Sequence, residues 1–584
     1  MKITGALLSI LVLVTGCTPR GPRPDDSLDR ARIAGEAVRT APRRAPEWRC
    51  TAVKPALMPS PATRAERSGF CETTPYDEVV AFLDTVRAKT ASNRVMRIVR
   101  MGVSPRGRPL LVVTACARSS RAADNCDALM SPARRRPVVM LQANIHAGEV
   151  EGKEAVLALL RTVVTDAGPN LLDSLTLVVV PIYNADGNEA LGPQSRNRGS
   201  QLGPALIGER ANGDGLDLNR DYIKAEAPET RALLPLLVGG GVDVFVDLHT
   251  TNGSFHGYNL TFAPSLDPAA PLALFTSDTL LAGVRRKLWR KGVKTYPYGN
   301  FSNSFAREVS LDAQKDGWFT YDARPRFGTN YFGLTGGVAV LSEAYSHDPF
   351  STRVASTYAF VRELLGAVGA DATILTRVNA SRRVLATGSA LRGIVLETQL
   401  TTRPFRDSVL VEDLEADKDS LGAEPGVPLG IRRTGRMRGQ WMPVLDRFEP
   451  TRQTSVPAGG WLVEARDTAV LSLLARHGVT VRARVAPART LDVERFEVDS
   501  VDRLEHVFQG HREVRVLGRW VRVRMLPSAD WRWVPSAQRQ LLVAAQILEP
   551  QSNDGATTWN LFDDRLAMAR YHPVMRVVTR LYGR

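Results

Sequence analysis

Three apolar segments of this 584-residue chain each end in a side chain that can bind a metal or carry a proton. Residues 136–146 predict a buried strand that ends at His146, and residues 242–249 predict a second strand that ends at His249. A third apolar run, residues 337–343, ends in Glu343. Functional side chains of open α/β sheets lie where strands end, so we expect these three residues to be neighbours.

Glu149 follows His146 by three positions, and apolar residues at helical spacing predict a helix over residues 151–166. Two imidazoles and one carboxylate form an open zinc site, in which a fourth position stays available to water. We therefore expect His146, Glu149 and His249 to hold one zinc ion per chain. Glu343 is then the candidate for the proton transfers that zinc-dependent hydrolysis requires.

This pattern resembles the zinc metallocarboxypeptidases related to carboxypeptidases A and B. In that family a His-x-x-Glu motif and a later strand-end histidine bind the zinc, which matches His146, Glu149 and His249. The family carries an Asp-x-Asn-Arg motif between the ligands, and residues 217–220 of this chain read Asp-Leu-Asn-Arg. The resemblance covers about residues 76–368 and implies an α/β fold with a mixed sheet flanked by helices.

The resemblance also assigns roles to the Asp-Leu-Asn-Arg motif. It implies that Asn219 and Arg220 hold the C-terminal carboxylate of a peptide substrate, and that Asp217 accepts a hydrogen bond from the first zinc histidine. A planar guanidinium binds a carboxylate through two parallel hydrogen bonds, which suits Arg220 to this task. A carboxylate beside a ligand histidine fixes the tautomer and orientation of the ring, which suits Asp217.

Two further positions of the family have more than one candidate here. An arginine that polarises the scissile carbonyl precedes the Asn-Arg pair, and we favour Arg210 because it lies in the loop that enters the motif; Arg198 is the alternative. A mobile tyrosine closes over the substrate upstream of the catalytic glutamate. Spacing favours Tyr321 for this position over Tyr331.

The function that the resemblance implies is hydrolysis of the last peptide bond of peptides with a free C-terminal carboxylate, with Glu343 as general base and then general acid. One alternative is an amidase or deacylase of the same fold, acting on N-acyl amino acids or peptidoglycan stem peptides. Another is a non-catalytic peptide-binding module. Arg324 and Arg326 lie where the family builds its specificity pocket, so they either favour an acidic terminal residue or are exposed loop arginines.

The chain is too long for one typical domain. Residues 1–17 resemble a bacterial lipoprotein signal, and residues 18–75 are rich in Pro, Arg and Ala, which is typical of a tether. We expect a catalytic domain over residues 76–370. Residues 381–584 contain β-branched runs separated by Pro and Gly, which predict a β-rich companion domain of unknown role.

The first residues also indicate the compartment. Residues 14–17 read Val-Thr-Gly-Cys, so we expect Cys17 to be lipidated and the protein to be anchored to a membrane of the cell envelope, periplasmic or at the outer membrane in a Gram-negative source. An exported protein can form disulfides, and Cys116 with Cys126 is the preferred pair, with Cys50 and Cys71 as its complement. The net charge of +15 comes from scattered arginines without any nucleic-acid-binding motif, so no nucleic acid partner is expected.

Overall fold

The computed structural model describes residues 58–131, 133–239, 241–301, 317–388, 391, 393–416, 427, 430–483, 490–567 and 570–579. The strands, in chain order, are β1 (Arg94–Val103), β2 (Pro109–Ala117), β3 (Val138–Ala143), β4 (Thr176–Val180), β5 (Gly192–Pro193), β6 (Leu206–Ile207), β7 (Val244–Thr250), β8 (Leu260–Pro264), β9 (Thr295–Pro297), β10 (Asn300–Phe301), β11 (Trp318–Phe319), β12 (Val338–Ala344), β13 (Ile394–Thr402), β14 (Asp407–Ala416), β15 (Ile431–Met442), β16 (Val444–Thr454), β17 (Gly460–Glu464), β18 (Leu491–Phe508), β19 (His511–Met525), β20 (Trp531–Val534) and β21 (Tyr571–Val577).

Most helices of the described chain lie before β13, and three lie in the C-terminal half. In chain order, the helices are α1 (Arg64–Arg67), α2 (Tyr76–Ala88), α3 (Glu151–Thr165), α4 (Ala185–Glu189), α5 (Gln194–Asn197), α6 (Pro228–Val238), α7 (Ala273–Phe275), α8 (Ala282–Arg290), α9 (Gly328–Leu334), α10 (Phe350–Ala370), α11 (Ile374–Thr387), α12 (Thr468–Arg476), α13 (Leu541–Leu548) and α14 (Asp563–Leu566). Short 3₁₀ turns lie at Ala122–Asp124, Leu171–Asp173 and Leu218–Arg220, and a π-helical turn at Thr276–Leu281 joins α7 to α8.

An eight-stranded mixed sheet organises the first half of the chain, with the order β1-β2-β4-β3-β7-β12-β8-β9. Its centre is parallel, because β3 pairs with both β4 and β7, and β7 pairs with β12, in parallel register. Every residue of β3, β7 and β12 is buried. Parallel strands covered on both faces need continuous apolar runs, which explains why the sequence predicted all three strands, although β3 ends at Ala143 and not at His146 as expected. The expected mixed sheet flanked by helices is confirmed.

Helices α3 and α10 cover one face of this sheet. Leu160 of α3 and Leu364 of α10 belong to one apolar cluster with Leu141 of β3 and Val246 of β7. Helix α10 buries the apolar stripe that faces the sheet, whereas the first two turns of α3 are buried on all sides. This packing fixes the sheet edge at which β3, β7 and β12 end.

The C-terminal half of the chain covers the opposite face. Phe245 of β7 and Met140 of β3 share a buried cluster with Trp461 of β17 and with Leu541 and Ile547 of α13. The second half is β-rich, as expected, with sheets β10-β11-β16-β13, β14-β15 and β19-β18-β21-β17-β20. The two halves therefore share a hydrophobic core, so the C-terminal part contributes to the stability of the central sheet.

The segment expected to be a tether ends in a stretch that packs against α3. The Glu154 carboxylate accepts hydrogen bonds from Thr73 Oγ1 at 3.0 Å and from the Thr74 backbone at 2.7 Å. Glu66 of α1 pairs with Arg161 at 2.7 Å. Residues 1–57, with the lipidation candidate Cys17, lie outside the described residues. No helix in the described part of the chain is long and apolar enough to cross a membrane.

The predicted disulfide between Cys116 and Cys126 is confirmed. It closes the polar loop that follows β2, with the two Cα atoms 5.7 Å apart. Cys50, the expected partner of Cys71, lies outside the described residues.

Candidate active site

The three expected zinc ligands meet at the carboxyl edge of the central sheet. Nδ1 of His146 lies 3.0 Å from Oε1 of Glu149, and Nδ1 of His249 lies 3.0 Å from Oε2 of the same carboxylate. Their ligand atoms all lie within 4.8 Å of one another, and all three side chains are buried. Within the described residues, they are the only group of His, Cys, Asp or Glu placed closely enough to hold a metal.

Local sequence explains how the ligands converge. His146 follows the end of β3, and a turn closed by Glu149 N–H donating to the His146 carbonyl at 2.9 Å places both side chains together just before α3. His249 lies on β7, the strand next to β3. The edge that joins two neighbouring parallel strands therefore holds the whole ligand set.

A second carboxylate stands behind each ligand histidine. Oδ1 of Asp217 lies 3.1 Å from Nε2 of His146, as expected. Oδ2 of Asp247 lies 3.0 Å from Nε2 of His249, a contact that the sequence reasoning missed. The alternation of a β-strand could have revealed it, because residues two apart on β7 point to the same face. The His146 ring is hydrogen-bonded through Nε2 to Asp217, and Nε2 of His249 faces the Asp247 carboxylate at an ion-pair distance. Nδ1 of each ring is therefore the candidate ligand atom.

The residues fit a divalent metal. Burial alone would raise the pKa of Glu149, but the charges of Arg198 and His146 and hydrogen bonds from both histidines hold that pKa well below its usual value. The pKa of His249 is raised, because Asp247 and Glu149 outweigh the lowering effect of burial. An anionic carboxylate between two imidazoles whose Nε2 atoms face other carboxylates is the donor set of a catalytic zinc site.

Glu343 lies beside this cluster. It is paired in register with His249 on the neighbouring parallel strand β12, so both side chains point to the same face of the sheet. Its Oε2 is buried and has no hydrogen-bond partner among the described residues. Burial, with the nearby charges of Glu149 and Asp247, raises the pKa of Glu343 to about 8 against the opposing effect of His249 and Arg198. A carboxyl group in this state is suited to exchange protons near neutral pH.

Both candidate arginines reach the ligand glutamate. Nη1 of Arg198 donates to Oε1 of Glu149 at 2.6 Å, and its Nη2 donates to the Thr251 carbonyl at 2.7 Å. Nε of Arg210 donates to Oδ2 of Asp217 at 2.9 Å, and its Nη1 lies 3.7 Å from Oε1 of Glu149. The side chain of Arg210 is 39% exposed and that of Arg198 11%, so Arg210 is the more accessible of the two to a substrate.

Asn219 and Arg220 lie on the short turn after Asp217, beside the metal cluster. Nδ2 of Asn219 is 3.5 Å from Nε2 of His249, and Oδ1 of Asn219 accepts a hydrogen bond from Gly328 N–H at 3.0 Å. The Arg220 guanidinium lies 4.1 Å from the centre of the Phe327 ring. The turn that carries Asn219 and Arg220 is therefore bound to the start of α9, through a hydrogen bond at Gly328 and a cation–π contact at Phe327.

The structure separates the two tyrosine candidates. Tyr321 is half-buried, with its ring centre 5.2 Å from that of Phe327 and 5.7 Å from that of Tyr298. Tyr331 is buried, and its hydroxyl pairs with Nδ1 of His477 at 2.7 Å in the contact with the C-terminal half. Tyr321 thus lies near the residues around Arg220, whereas the hydroxyl of Tyr331 is already engaged elsewhere.

The expectation that Arg324 and Arg326 are exposed loop residues is wrong, and their carboxylate partners argue against the alternative of a free positive charge for an acidic terminal residue. Arg326 is fully buried, and its Nε donates to Oδ1 of Asp554 at 2.9 Å. Arg324 pairs with Asp322 and lies 3.6 Å from Glu513. Neither arginine is an exposed loop residue, and both are neutralised by carboxylates, two of which come from the C-terminal half.

Comparison of this sequence with known proteins finds a match to one protein family over part of the chain. The pattern of the family described as zinc carboxypeptidase matches residues 79–332. Carboxypeptidase 2 of Trichophyton tonsurans is 26% identical over 261 residues, which is 40% of this chain and 42% of that protein. Probable carboxypeptidase 2 of Trichophyton verrucosum is 22% identical over 181 residues, which is 31% of this chain and 30% of that protein. The chain thus spans less than half the length of these curated relatives.

Solved structures with a detectable similarity include a metallo-carboxypeptidase from Burkholderia cenocepacia and carboxypeptidase A from Helicoverpa armigera. The first is 18% identical, has a TM-score of 0.35, and is matched over 52% of this chain and 70% of its own. The second is 17% identical, has a TM-score of 0.36, and is matched over 53% of this chain and 76% of its own.

The family match contains the three metal ligands and the Asp-Leu-Asn-Arg motif, and it ends before Glu343, whose place beside the cluster rests on the pairing of β12 with β7. Residues 79–332 are thus the part of this chain that is similar in sequence to zinc carboxypeptidases.

Proposed function

We propose that this protein is a zinc-dependent metallocarboxypeptidase, which removes the last residue of peptides that carry a free C-terminal carboxylate. One observation carries the proposal. A buried ligand cluster, a carboxyl group without a hydrogen-bond partner in the described residues, and an Asn-Arg pair are gathered at one edge of one sheet. These are the parts that hydrolysis of a terminal peptide bond requires: a metal, a base, and an anchor for the carboxylate.

His146, Glu149 and His249 would hold one zinc ion, with Asp217 and Asp247 orienting the two rings. When bound there, zinc would supply a Lewis acid that polarises a carbonyl and makes water more acidic.

Glu343 would act as the proton carrier. It takes a proton from the water that attacks the scissile carbonyl carbon, and it returns this proton to the nitrogen of the leaving amine when the C–N bond breaks. A zinc ion beside Glu343 would favour the carboxylate form of this side chain, which is the form that accepts the proton.

The anchoring residues would decide which bond is cleaved. Arg220 and Asn219 bind the terminal carboxylate, so the bond presented to Glu343 is the last one of the chain. Arg210 contributes positive charge where the carbonyl oxygen gains negative charge, and Arg198 contributes the same sign from a more buried position. Tyr321 covers the bound terminal residue from the Phe327 side.

The alternatives make different products from the same site. An amidase or deacylase would bind an N-acyl amino acid or a stem peptide through the same Asn219 and Arg220, and would cleave an acyl or an internal bond. A peptide-binding module without turnover would bind but leave the peptide intact. The peptide-library experiment below separates these outcomes.

The location also belongs to the proposal. We place the protein at the cell envelope, anchored to a membrane through lipidated Cys17, on the basis of the residues before that cysteine. The Cys116–Cys126 disulfide suits an oxidising compartment outside the cytoplasm. Substitution of Cys17 by serine should move the protein from the membrane fraction to the soluble fraction, and unchanged membrane association would contradict the anchor.

The direct test is incubation of the full chain, loaded with zinc, with a mixed peptide library, followed by mass spectrometry. The proposal expects loss of single C-terminal residues from free peptides and none from C-terminally amidated peptides. Glu343→Gln should retain zinc and lose nearly all turnover. Glu229→Gln is the matched control, because Glu229 is another buried carboxyl group, whose pKa is raised to about 7 by burial, away from the ligand cluster. Full activity of Glu343→Gln would contradict the role of this residue.

A further inference from the structure

We propose that the C-terminal half of the chain forms part of the substrate-binding apparatus, with Asp554 and His477 as positioning residues for the carboxylate anchor. This inference rests on the proposed function. We call residues 219–223 and 321–331 the binding wall, since they carry Asn219, Arg220, Tyr321 and Phe327. Asp554 and His477 contact this wall from outside the matched family domain.

Asp554 holds the wall through the backbone and the side chain of one residue. Its Oδ2 accepts a hydrogen bond from Arg326 N–H at 2.7 Å, and its Oδ1 accepts one from Arg326 Nε at 2.9 Å. Trp559 Nε1 donates to the same Oδ1 at 3.1 Å, and the Trp559 ring centre lies 4.5 Å from the Arg326 guanidinium. Both Asp554 and Arg326 are fully buried. Nη1 of Arg326 also donates to Oε1 of Glu513 at 3.0 Å, so two carboxylates of the C-terminal half neutralise this arginine. Asp554 is the one that also accepts the Arg326 backbone N–H, so it fixes the backbone position as well as the side chain.

The two residues after Arg326 contact the carboxylate anchor, Asn219 and Arg220. Phe327 lies against the Arg220 guanidinium at 4.1 Å, and Gly328 N–H donates to Oδ1 of Asn219 at 3.0 Å. A shift of the backbone at Arg326 would therefore change the stacking partner of Arg220 and the amide orientation of Asn219 together. Both are the groups that the proposed function assigns to the substrate carboxylate.

His477 joins the two segments of the wall. Its Nε2 faces the Ile223 carbonyl at 3.0 Å, and its Nδ1 faces the Tyr331 hydroxyl at 2.7 Å. An imidazole that donates through Nε2 to a carbonyl accepts through Nδ1, so the Tyr331 hydroxyl is the donor. His477 is fully buried and directly follows the end of α12. It therefore ties the chain after Arg220 to helix α9.

The metal cluster meets the wall only through the long 3.5 Å contact between Asn219 and His249, among the side-chain contacts of the described residues. The side-chain hydrogen bonds and ion pairs of His146, Glu149 and His249 in the described part of the chain come from residues between 146 and 250. Loosening of the wall should therefore weaken capture of the substrate carboxylate and leave zinc binding intact. In kinetic terms, KM should rise while kcat changes little.

The test compares two isosteric substitutions five positions apart in the same region of the full zinc-loaded chain. Asp554→Asn removes the carboxylate charge that holds the backbone and the Nε of Arg326, while Glu513 still pairs with its Nη1. Glu549→Gln is the control, because the buried Glu549 carboxylate holds Trp461 Nε1 at 2.8 Å and Arg576 Nε at 2.9 Å within the C-terminal half and touches no residue of the wall in the described structure. Steady-state kinetics, zinc content and thermal unfolding are measured for each protein.

Asp554→Asn is expected to raise KM about 10-fold with kcat within about twofold and full zinc content, which is the pattern of lost binding rather than lost chemistry. Glu549→Gln is expected to lower thermal stability with KM unchanged. His477→Gln provides a second, milder variant with an expected rise in KM of about threefold. Wild-type KM in both wall variants, or an equal rise in Glu549→Gln, would overturn the inference.

A binding measurement separates this inference from the proposed function. In the Glu343→Gln background, calorimetry measures the affinity of an intact peptide with a free C-terminal carboxylate. Addition of Asp554→Asn is expected to weaken this affinity about 10-fold, the same factor as for KM. The inference survives if this loss is seen even when the wild-type chain releases no terminal residue, and it fails if the affinity is unchanged.

Discussion

The metal cluster and the binding wall lie side by side but are built in different ways. The ligands stand at the ends of neighbouring strands, and the carboxylates behind them come from the same stretch of chain. The wall is held by Asp554 and His477, which come from the far end of the sequence. Metal binding at the site is therefore a local property of one sheet edge, whereas its affinity for a substrate depends on the packing of two halves of the chain.

Removal of a zinc ligand tests the local region and has the largest expected effect. His249→Ala should abolish zinc retention and reduce hydrolysis below detection, and it should lower the free energy of unfolding by about 1–3 kcal/mol because buried Glu149 and Asp247 each lose one of their partners. The measurements are zinc content by mass spectrometry and denaturant unfolding. His256→Ala is the control, since His256 is a buried histidine with aromatic neighbours outside the ligand cluster. Zinc retained by His249→Ala would contradict the assignment.

Substitution of Asp247, the carboxylate beside Nε2 of His249, should weaken zinc affinity and leave substrate binding by the wall unchanged. Asp247→Asn is expected to weaken zinc affinity about 10–100-fold, because His249 loses the group that orients its ring. Competition with a chelator measures this affinity, and KM for zinc-loaded protein should stay near the wild-type value. Asp217→Asn should behave in the same way through His146. Wild-type affinity of the Asp247 variant would show that the 3.0 Å contact has no effect on the ligand.

A change in the anchor should give the opposite pattern. Arg220→Lys keeps the charge but loses the planar fork, so KM is expected to rise about 10-fold while zinc affinity is unchanged. Arg231→Lys, at an exposed position of α6, is the matched control. Equal KM values for Arg220→Lys and the wild type would remove Arg220 from the carboxylate anchor.

The smallest predicted effect concerns pH and the contact between the halves. His511 of β19 lies 2.8 Å from Glu226, and this hydrogen bond with the nearby negative charge raises the pKa of His511. A raised pKa in the folded state means that the stabilisation is fully present below the unfolded pKa of about 6.5 and is lost as pH rises through the folded value.

For a pair that is partly exposed, the loss should be at most about 1 kcal/mol. Denaturant unfolding at a series of pH values from mildly acidic to mildly basic would measure it, and His511→Gln should flatten this part of the profile. An unchanged profile in the variant would assign the pH dependence to other groups.

Sequence reasoning was most successful where local pattern decides the structure. The runs that became β3, β7 and β12 are apolar throughout, and their ends placed His146 and His249 correctly because parallel strands end at one edge. The order of the Asp-Leu-Asn-Arg motif likewise placed Asp217 behind His146.

Contacts between distant parts of the chain were not accessible to the same reasoning. Nothing near Arg326 in the sequence indicates that Asp554, 228 residues away, neutralises it. Arg324 and Arg326 were therefore assigned to a specificity pocket or to solvent, although both are covered by the C-terminal half. Asp247 is a different case, because the period of the strand was sufficient to predict its place beside His249.

Anomalous X-ray diffraction at the zinc edge, from crystals of the zinc-loaded protein, tests the central claim most directly. We expect one zinc ion per chain, coordinated by Nδ1 of His146, Nδ1 of His249 and the Glu149 carboxylate, with both Nε2 atoms still facing Asp217 and Asp247. A zinc ion bound elsewhere in the chain, or a cluster in which these three side chains lie beyond coordination distance of one ion, would contradict the claim.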